Sequence, residues 1–446
     1  MNTLILLMIL AVTTFEYLTQ IDLLPRAAKF LPEILSAVTM LLVVIYGTRN
    51  RFQFVRPAYW FVFGAILVTM LCGAIANSVD AGPVIAGMRR YLRAMPLFLL
   101  PAVYAFADRQ IRNQLLLLLA LCLPQFPIAF SQRMETMSAG GYTGDATVGM
   151  LSTSGFLTIF LVCAACVLTA AFLRKRIGRA LFLPLFVLLL IPTMINETKA
   201  TLLLLPVGLL VTFVAASQQR ARLKNFVVAA GLLVTFGAIF VPTYDYFITH
   251  KGGPTILEFY TDPEELESYM SKDAAVGTRS LKEVGRVDAI LTPLREMARD
   301  PTHLAFGVGI GNASQFPLGA KFTGAYFRQF APFLKSAASI IILEIGVLGL
   351  ALVLVIYYLI FRDARVVAEA DDGIRGVLAA GWAGVTAVIV VATFYKNTTS
   401  SEAISYLFWY FSGVIAAHRV RLARQPVQVS AQEPTNSLAR LRQRPV

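Results

Sequence analysis

The chain has little of what most catalytic constellations are built from. Its 446 residues include three histidines and four cysteines. His250, His303 and His418 give a His-based metal centre or a Ser-His-Asp triad almost no material, so no metal is expected. Cys72, Cys122, Cys163 and Cys166 all fall in apolar stretches. The last two have C-x-x-C spacing but no second ligand pair, so packing is the reading for all four. Charge is scarce as well: 15% charged residues stand against 57% hydrophobic ones, with a mean hydropathy of +0.68. That balance excludes a soluble globular domain. There is no phosphate-binding glycine loop, no dinucleotide fingerprint, and no internal repeat of the kind that marks inverted-repeat transporters.

What is present is a succession of apolar runs of membrane length. Twelve are read, at about 3–19, 30–47, 59–78, 92–108, 114–130, 150–173, 180–196, 199–217, 225–242, 336–361, 376–395 and 402–417. Crossing a ~30 Å hydrocarbon core takes ~17–25 apolar residues in helix. A spanning segment must satisfy its own backbone, and the alternation of a closed barrel is absent, so helices are required. The expectation is an all-α polytopic membrane protein of about twelve transmembrane helices. The first run lacks a basic leading region and a small-residue cleavage site, so it is expected to be retained as a span.

Short-loop cations set the orientation. Arg49, Arg51 and Arg56, then Arg109 and Arg112, Arg174 to Arg179, Arg220 to Lys224, Arg362 and Arg365, and Arg419 to Arg424 fall at every second turn. Both termini are then cytoplasmic. Residues 1–242 carry nine spans, 243–335 form one large external loop, 336–418 carry three more spans, and 419–446 are a disordered basic tail suited to anionic lipid. The net charge of +13 is mostly this inside-positive signal and not a nucleic-acid footprint.

Polar residues concentrate in the external loop, with eleven acids, ten Lys/Arg and the cluster Gly307-Val-Gly309-Ile-Gly311-Asn312. Loops and adjoining helix ends are where function concentrates. Three sets of external cations break the inside-positive pattern. Arg89, Arg90 and Arg93 have helical i,i+3 and i,i+4 spacing and present one cationic face. That face reads either as lipid-headgroup contact by an interfacial helix or as an arginine clamp for pyrophosphate. Glu197 and Lys199 occupy almost the whole connection between two spans, as a mutual salt bridge or as part of an outer pocket. Arg279 and Arg286 are two helical turns apart with Lys282 between them on the same side, and the stretch from Arg286 reads as an amphipathic helix ending before Pro301, its arginines either a solvated face or a binding face. A lone G-x-G-x-G also marks a plain tight turn.

Taken together, an Arg-bearing amphipathic helix, Asp300-Pro301, the glycine cluster, a gap, and then Leu343-Glu344-Ile-Gly346-Val-Leu-Gly349 in a span resemble the O-antigen ligase and Wzy-type polysaccharide polymerase superfamily. The topological likeness runs end to end, while residue-level matching is confined to about 279–350 and, more loosely, 196–206. The resemblance implies a GT-C-like bundle in a bacterial inner membrane with a periplasmic active site. Its substrate would be an undecaprenyl-pyrophosphate-linked oligosaccharide, its surroundings membrane lipid, and its partners a flippase and a chain-length regulator of an export pathway. Carried over by position, the family's loop arginine falls on Arg286, with Arg279 beside it. The family's His-Asn before the span falls on Lys335-Ser336, and its Ser-Arg-Gly on Thr198-Lys199-Ala200. Both departures keep a cation. Losing the ligase-associated histidine favours a polymerase over a ligase.

A polyprenyl pyrophosphate carries its own leaving group, so no nucleotide and no cofactor is needed. Arginines that stabilise the departing charge are the largest requirement, and a base for the acceptor hydroxyl adds ~10²–10⁴-fold. Lys335, Arg286 and Arg279 are the catalytic candidates. Arg89, Arg90, Arg93, Lys199, Glu197 and Asn312 are expected to bind pyrophosphate or glycan. Lys335 acts as base only if its pKa falls well below ~10.4, and Glu197 is the reserve. Glu344 lies ~13.5 Å further along the helix axis than Lys335 and is assigned a structural role. All the candidate cations are expected to converge on one outward cavity. A lipid-linked sugar flippase would need ionisable residues mid-span, which are scarce here. A scaffold would leave three separated external cation sets unexplained.

Overall fold

A computed structural model describes residues 1–49, 55–140, 144–217, 222–249, 255–264, 267, 284–316 and 319–424. Among these the secondary structure is helical, with no strand. In chain order the helices are α1 (Asn2–Gln20), α2 (Leu31–Arg49), α3 (Pro57–Ala76), α4 (Ala81–Leu92), α5 (Met95–Val103), α6 (Asp108–Cys122), α7 (Gln125–Ser138), α8 (Ser154–Leu173), α9 (Arg179–Ile195), α10 (Thr201–Ala216), α11 (Arg222–Thr249), α12 (Ile256–Thr261), α13 (Asp288–Met297), α14 (Pro301–Phe306), α15 (Phe327–Phe330), α16 (Ala337–Ala370), α17 (Ile374–Tyr395) and α18 (Glu402–Arg424). Among the described residues, eight helical stretches are long and apolar enough to cross a membrane, and α9 and α10 are shorter apolar helices. The chain is an all-α polytopic membrane protein.

The boundaries follow local chemistry. Pro57 stands at the first position of α3, where its missing N–H costs nothing. The Thr153 hydroxyl caps α8 by accepting from Phe156 N at 3.3 Å, and Ser336 with Ser339 forms a capping box at the start of α16. Three boundaries differ from the hydropathy reading. The run 92–108 is not one helix: Arg93 and Ala94 separate α4 from α5, Pro96 restarts the helix, and Tyr104 is already extended. The run 336–361 is interrupted at Gly346, whose φ of +73° is not helical. The ninth span continues to Thr249, into the stretch read as external loop.

The core is formed by α8, α10, α16, α17 and α18. A Cβ at Gly384 would lie 2.0 Å from Thr212 Oγ1 and 2.5 Å from the Gly208 carbonyl oxygen, so α10 and α17 approach to backbone contact. The Trp382 indole spans α17 and α18 with a hydrogen bond to Ser412 Oγ at 2.9 Å. Tyr59, Phe63, Phe98 and Trp409 interlock α3, α5 and α18 at ring separations of 5.1–6.5 Å.

Charge is sorted to the two ends of this bundle. At one end Arg56 pairs with Asp363, His418 Nε2 lies 2.7 Å from Asp371, Arg375 pairs with Asp108 at 3.0 Å, and Arg174 donates to the Asp371 carbonyl at 3.1 Å. The other end carries α4, the 144–154 and 396–401 connections, and the helices of the 243–335 segment. All the described candidate residues lie there.

Candidate functional site

The glycine cluster is a packing wedge. Gly307 and Gly311 have φ of +71° and +75°, open to glycine at little cost. A Cβ on Gly311 would lie 2.0 Å from the Pro83 carbonyl oxygen, and one on Gly346 would lie 2.1 Å from that of Ala305. The loop is thereby driven between α3, α4 and the broken turn of α16, with Val308 N donating to the Leu343 carbonyl at 2.7 Å. Asn312 is buried within it: Nδ2 donates to Val308 O at 2.9 Å, and Oδ1 accepts from Ala325 N at 3.0 Å. Both ends of its amide hold the loop together.

Glu344 is fully buried. It accepts from the Tyr91 hydroxyl at 3.2 Å and lies 3.5 Å from Arg90 Nη1. Arg90 also donates to Ser314 Oγ at 2.7 Å and lies over the Phe316 ring at 4.5 Å. Glu344 thus anchors α4 to α16 and to the glycine wedge, in line with its structural assignment.

Arg89 and Arg90 of α4, and Arg93 at its C-terminal cap, line one cavity of about 550 Å³ with Lys29, Glu16, Glu33, Ser400 and Glu402. None of them projects alone. Arg89 is bidentate to Glu33, with its Nε at 3.1 Å. Arg93 reaches Glu33 at 3.4 Å and Glu402 at 3.3 Å. Arg93 also donates to the carbonyl oxygens of Thr399 and Ser400 at 3.3 and 3.2 Å, tying α4 to the connection between α17 and α18.

The same connection begins with Lys396, which the sequence reading passed over. Lys396 caps the end of α17 and is half-buried, with its ammonium 5.6 Å from the centre of the Phe156 ring. Its carbonyl accepts from Ala337 N at 3.1 Å, joining it to the start of α16 just after Lys335. Burial first, then the nearby charges of Arg286 and Lys335, push the Lys396 pKa below that of an ordinary lysine, while Asp145 opposes them. Arg286 is fixed at the same place by a 2.7 Å bond from Nη1 to the Tyr395 carbonyl. The structure therefore brings the candidates Arg286 and Lys335 together, around a third cation.

Glu197 and Lys199 form a separate group. Glu197, in a left-handed conformation at φ +56°, pairs with the fully buried Arg133 and accepts from Gly144 N at 3.2 Å. Lys199 Nζ sits 3.2 Å from the centre of the Phe259 ring. No Glu197–Lys199 salt bridge forms among the described residues. Glu197 abuts the lysine site through Gly144, the neighbour of Asp145. Arg279 lies outside the described residues. Arg286, Lys335 and Lys199 are not on the walls of the 550 Å³ cavity, so the expectation of a single cavity is replaced by adjoining groups along 144–154 and 396–402.

Lys396 was findable. On the orientation expected from the short-loop cations it is an outside cation, the same irregularity that singled out Arg89 and Lys199. Arg133, just past the run 114–130, carried the same signal and was passed over; Glu33 and Glu402 gave none, because each looks like an ordinary helix-end charge until its partner is known. No family model matches the chain, and no curated relative matches it.

Proposed function

We propose that this chain is a membrane glycosyltransferase that joins polyprenyl-pyrophosphate-linked oligosaccharide units into a polymer, at the end of the bundle carrying Lys396. The observation that carries this reading is a cluster of cations: Lys396 is half-buried at the end of α17, Arg286 donates to the Tyr395 carbonyl beside it at 2.7 Å, and the Lys396 carbonyl accepts at 3.1 Å from Ala337 N, two residues after Lys335. A cation disfavoured by its neighbours gains most when a polyanion arrives, because the anion offsets burial and repulsion together. On this reading the bundle crosses the membrane twelve times, counting α5, α9, α10 and α18 with the eight long apolar stretches, and Lys396 faces outward.

In the reaction an acceptor sugar hydroxyl attacks the anomeric carbon of the lipid-linked chain. The bond from that carbon to the pyrophosphate oxygen breaks with its electron pair leaving on the pyrophosphate. A glycosidic bond forms, and the hydroxyl proton ends on the released lipid pyrophosphate. Arg286, Lys335 and Lys396 stabilise the departing charge, and the glycosyl pyrophosphate brings its own leaving group, so no nucleotide is needed. Lys396 is half-buried at the end of α17, next to the Tyr395 carbonyl that Arg286 holds, so the clamp centres on it.

The test is reconstitution of the full chain in liposomes with lipid-linked repeat units. Lys396→Ala and Arg286→Ala should each leave single units accumulated, with polymer reduced by about 10²–10³-fold. Polymer forming normally in both variants would overturn the assignment.

A further inference from the structure

The cavity beneath α4 has a composition at odds with anion binding. Its basic side chains are Lys29, Arg89, Arg90 and Arg93, and its carboxylates are Glu16, Glu33 and Glu402. A fourth carboxylate, Glu344, meets Arg90 from behind. Four basic groups therefore meet four acidic ones, and the arginines are already engaged. A pyrophosphate entering here would have to draw Arg89 and Arg93 off Glu33. That would leave a partly buried carboxylate without its partners, among the costlier arrangements in a protein.

A ligand that keeps those pairs intact must be neutral and able to donate and accept at once. Hydroxyl groups do both. The guanidinium and carboxylate groups of Arg89, Arg93, Glu33 and Glu402 present both donors and acceptors to the cavity, and Phe15 and the exposed Phe30 add apolar lining. The volume, about 550 Å³, lies within the range of small-ligand pockets, roughly 300–1,000 Å³. Ser400 stands exposed at the rim, four residues from Lys396 on the connection that Arg93 holds.

We infer that this cavity is a binding subsite for neutral saccharide rings, set beside the pyrophosphate clamp and distinct from it in charge. The inference rests on the transferase reading for its biological use, and on the cavity alone for its ligand class. It divides the work by charge: the diphosphate goes to Lys396, Arg286 and Lys335, and the uncharged glycan goes to the walls built by α1, α2 and α4.

The experiment uses the full chain in lipid nanodiscs with diazirine-bearing neutral oligosaccharides of two to six hexoses. Photolabel should appear on peptides spanning 11–33 or 400–402 and should survive an excess of inorganic pyrophosphate. Ser400→Trp fills the rim from an exposed position, and Glu402→Gln removes one charged acceptor. Each should lower labelling roughly tenfold, the equivalent of about 1.4 kcal/mol. Absence of label from these peptides, displacement by pyrophosphate, or full labelling of Ser400→Trp would each overturn the inference. Labelled cavities in a protein that never joins lipid-linked units would sink the transferase reading and leave the saccharide subsite standing. Polymer formation without any cavity label would do the reverse.

Discussion

Arg286 lies across Tyr395, donating from Nη1 to its carbonyl oxygen at 2.7 Å while its guanidinium carbon sits 4.7 Å from the centre of the same residue's ring. The two residues are 109 apart in sequence. One arginine thus pins the segment ahead of α13 to the end of α17, immediately before Lys396. Its planar fork serves ring and carbonyl at once, a geometry that an ammonium on a flexible stem cannot copy.

The first prediction follows from that fork. Arg286→Lys retains the charge and loses the shared geometry. Polymer formation by Arg286→Lys should fall at least about tenfold, and that of Arg286→Ala by about 10²–10³-fold. Activity in Arg286→Lys equal to wild type would reduce the role of Arg286 to bulk charge.

Glu344 offers a test of the opposite kind, on stability. It is fully buried, and both its partners sit on α4. Removing one member of a buried pair leaves the other charge uncompensated, at a cost of ~3–5 kcal/mol. Glu344→Ala should lower the thermal unfolding midpoint in detergent sharply and reduce the yield of folded protein. Glu344→Gln keeps an acceptor for the Tyr91 hydroxyl and should be milder. Equal midpoints for Glu344→Ala and wild type would remove its anchoring role.

Hydropathy made the span-rich, all-helical class legible, because a chain crossing hydrocarbon must declare its spans in composition. The breaks were hidden. Gly346 departs from helix because the backbone at Ala305 presses on it, and Ala305 lies in a different part of the chain. At the site, Arg89, Arg90 and Arg93 stood out as breaks in the expected charge pattern, but their pairing was hidden: Glu33, which holds Arg89, is 56 residues away in the second helix. The glycine cluster was ambiguous because the two uses of glycine, cradling an anion and admitting a neighbouring backbone, have the same sequence signature. The Pro83 carbonyl, 2.0 Å from where a Cβ on Gly311 would stand, shows the second use.

That distinction gives a paired prediction. A methyl at Gly311 meets the Pro83 carbonyl and a left-handed backbone together, so Gly311→Ala should misfold or lose several degrees of thermal stability. Gly64, inside α3, has open space around it. Gly64→Ala should be neutral, or stabilising by up to ~1 kcal/mol through helix propensity. Similar unfolding midpoints for the two variants would contradict the packing role of the wedge.

Lys396 sets function against stability. Because its folded pKa is depressed, the charged form is less stable in the fold than in the unfolded chain, and the penalty is present at neutral pH. The sign is that of a group whose contribution improves as pH rises: the penalty is complete below the lowered folded value and gone above the ordinary lysine range. Lys396→Met keeps the apolar stem and removes the charge, so it should raise the unfolding midpoint by a few degrees while abolishing polymer. Inorganic pyrophosphate should stabilise the wild-type protein, by mass action on the folded state, and leave Lys396→Met unshifted. The pyrophosphate effect should fade with rising pH as the amine loses its proton, at a pH below the range of a free lysine, with Asp145 working against the loss and Arg286 and Lys335 promoting it. A midpoint that falls in Lys396→Met, together with an undiminished response to pyrophosphate, would mean that the lysine is structural and that the anion binds elsewhere.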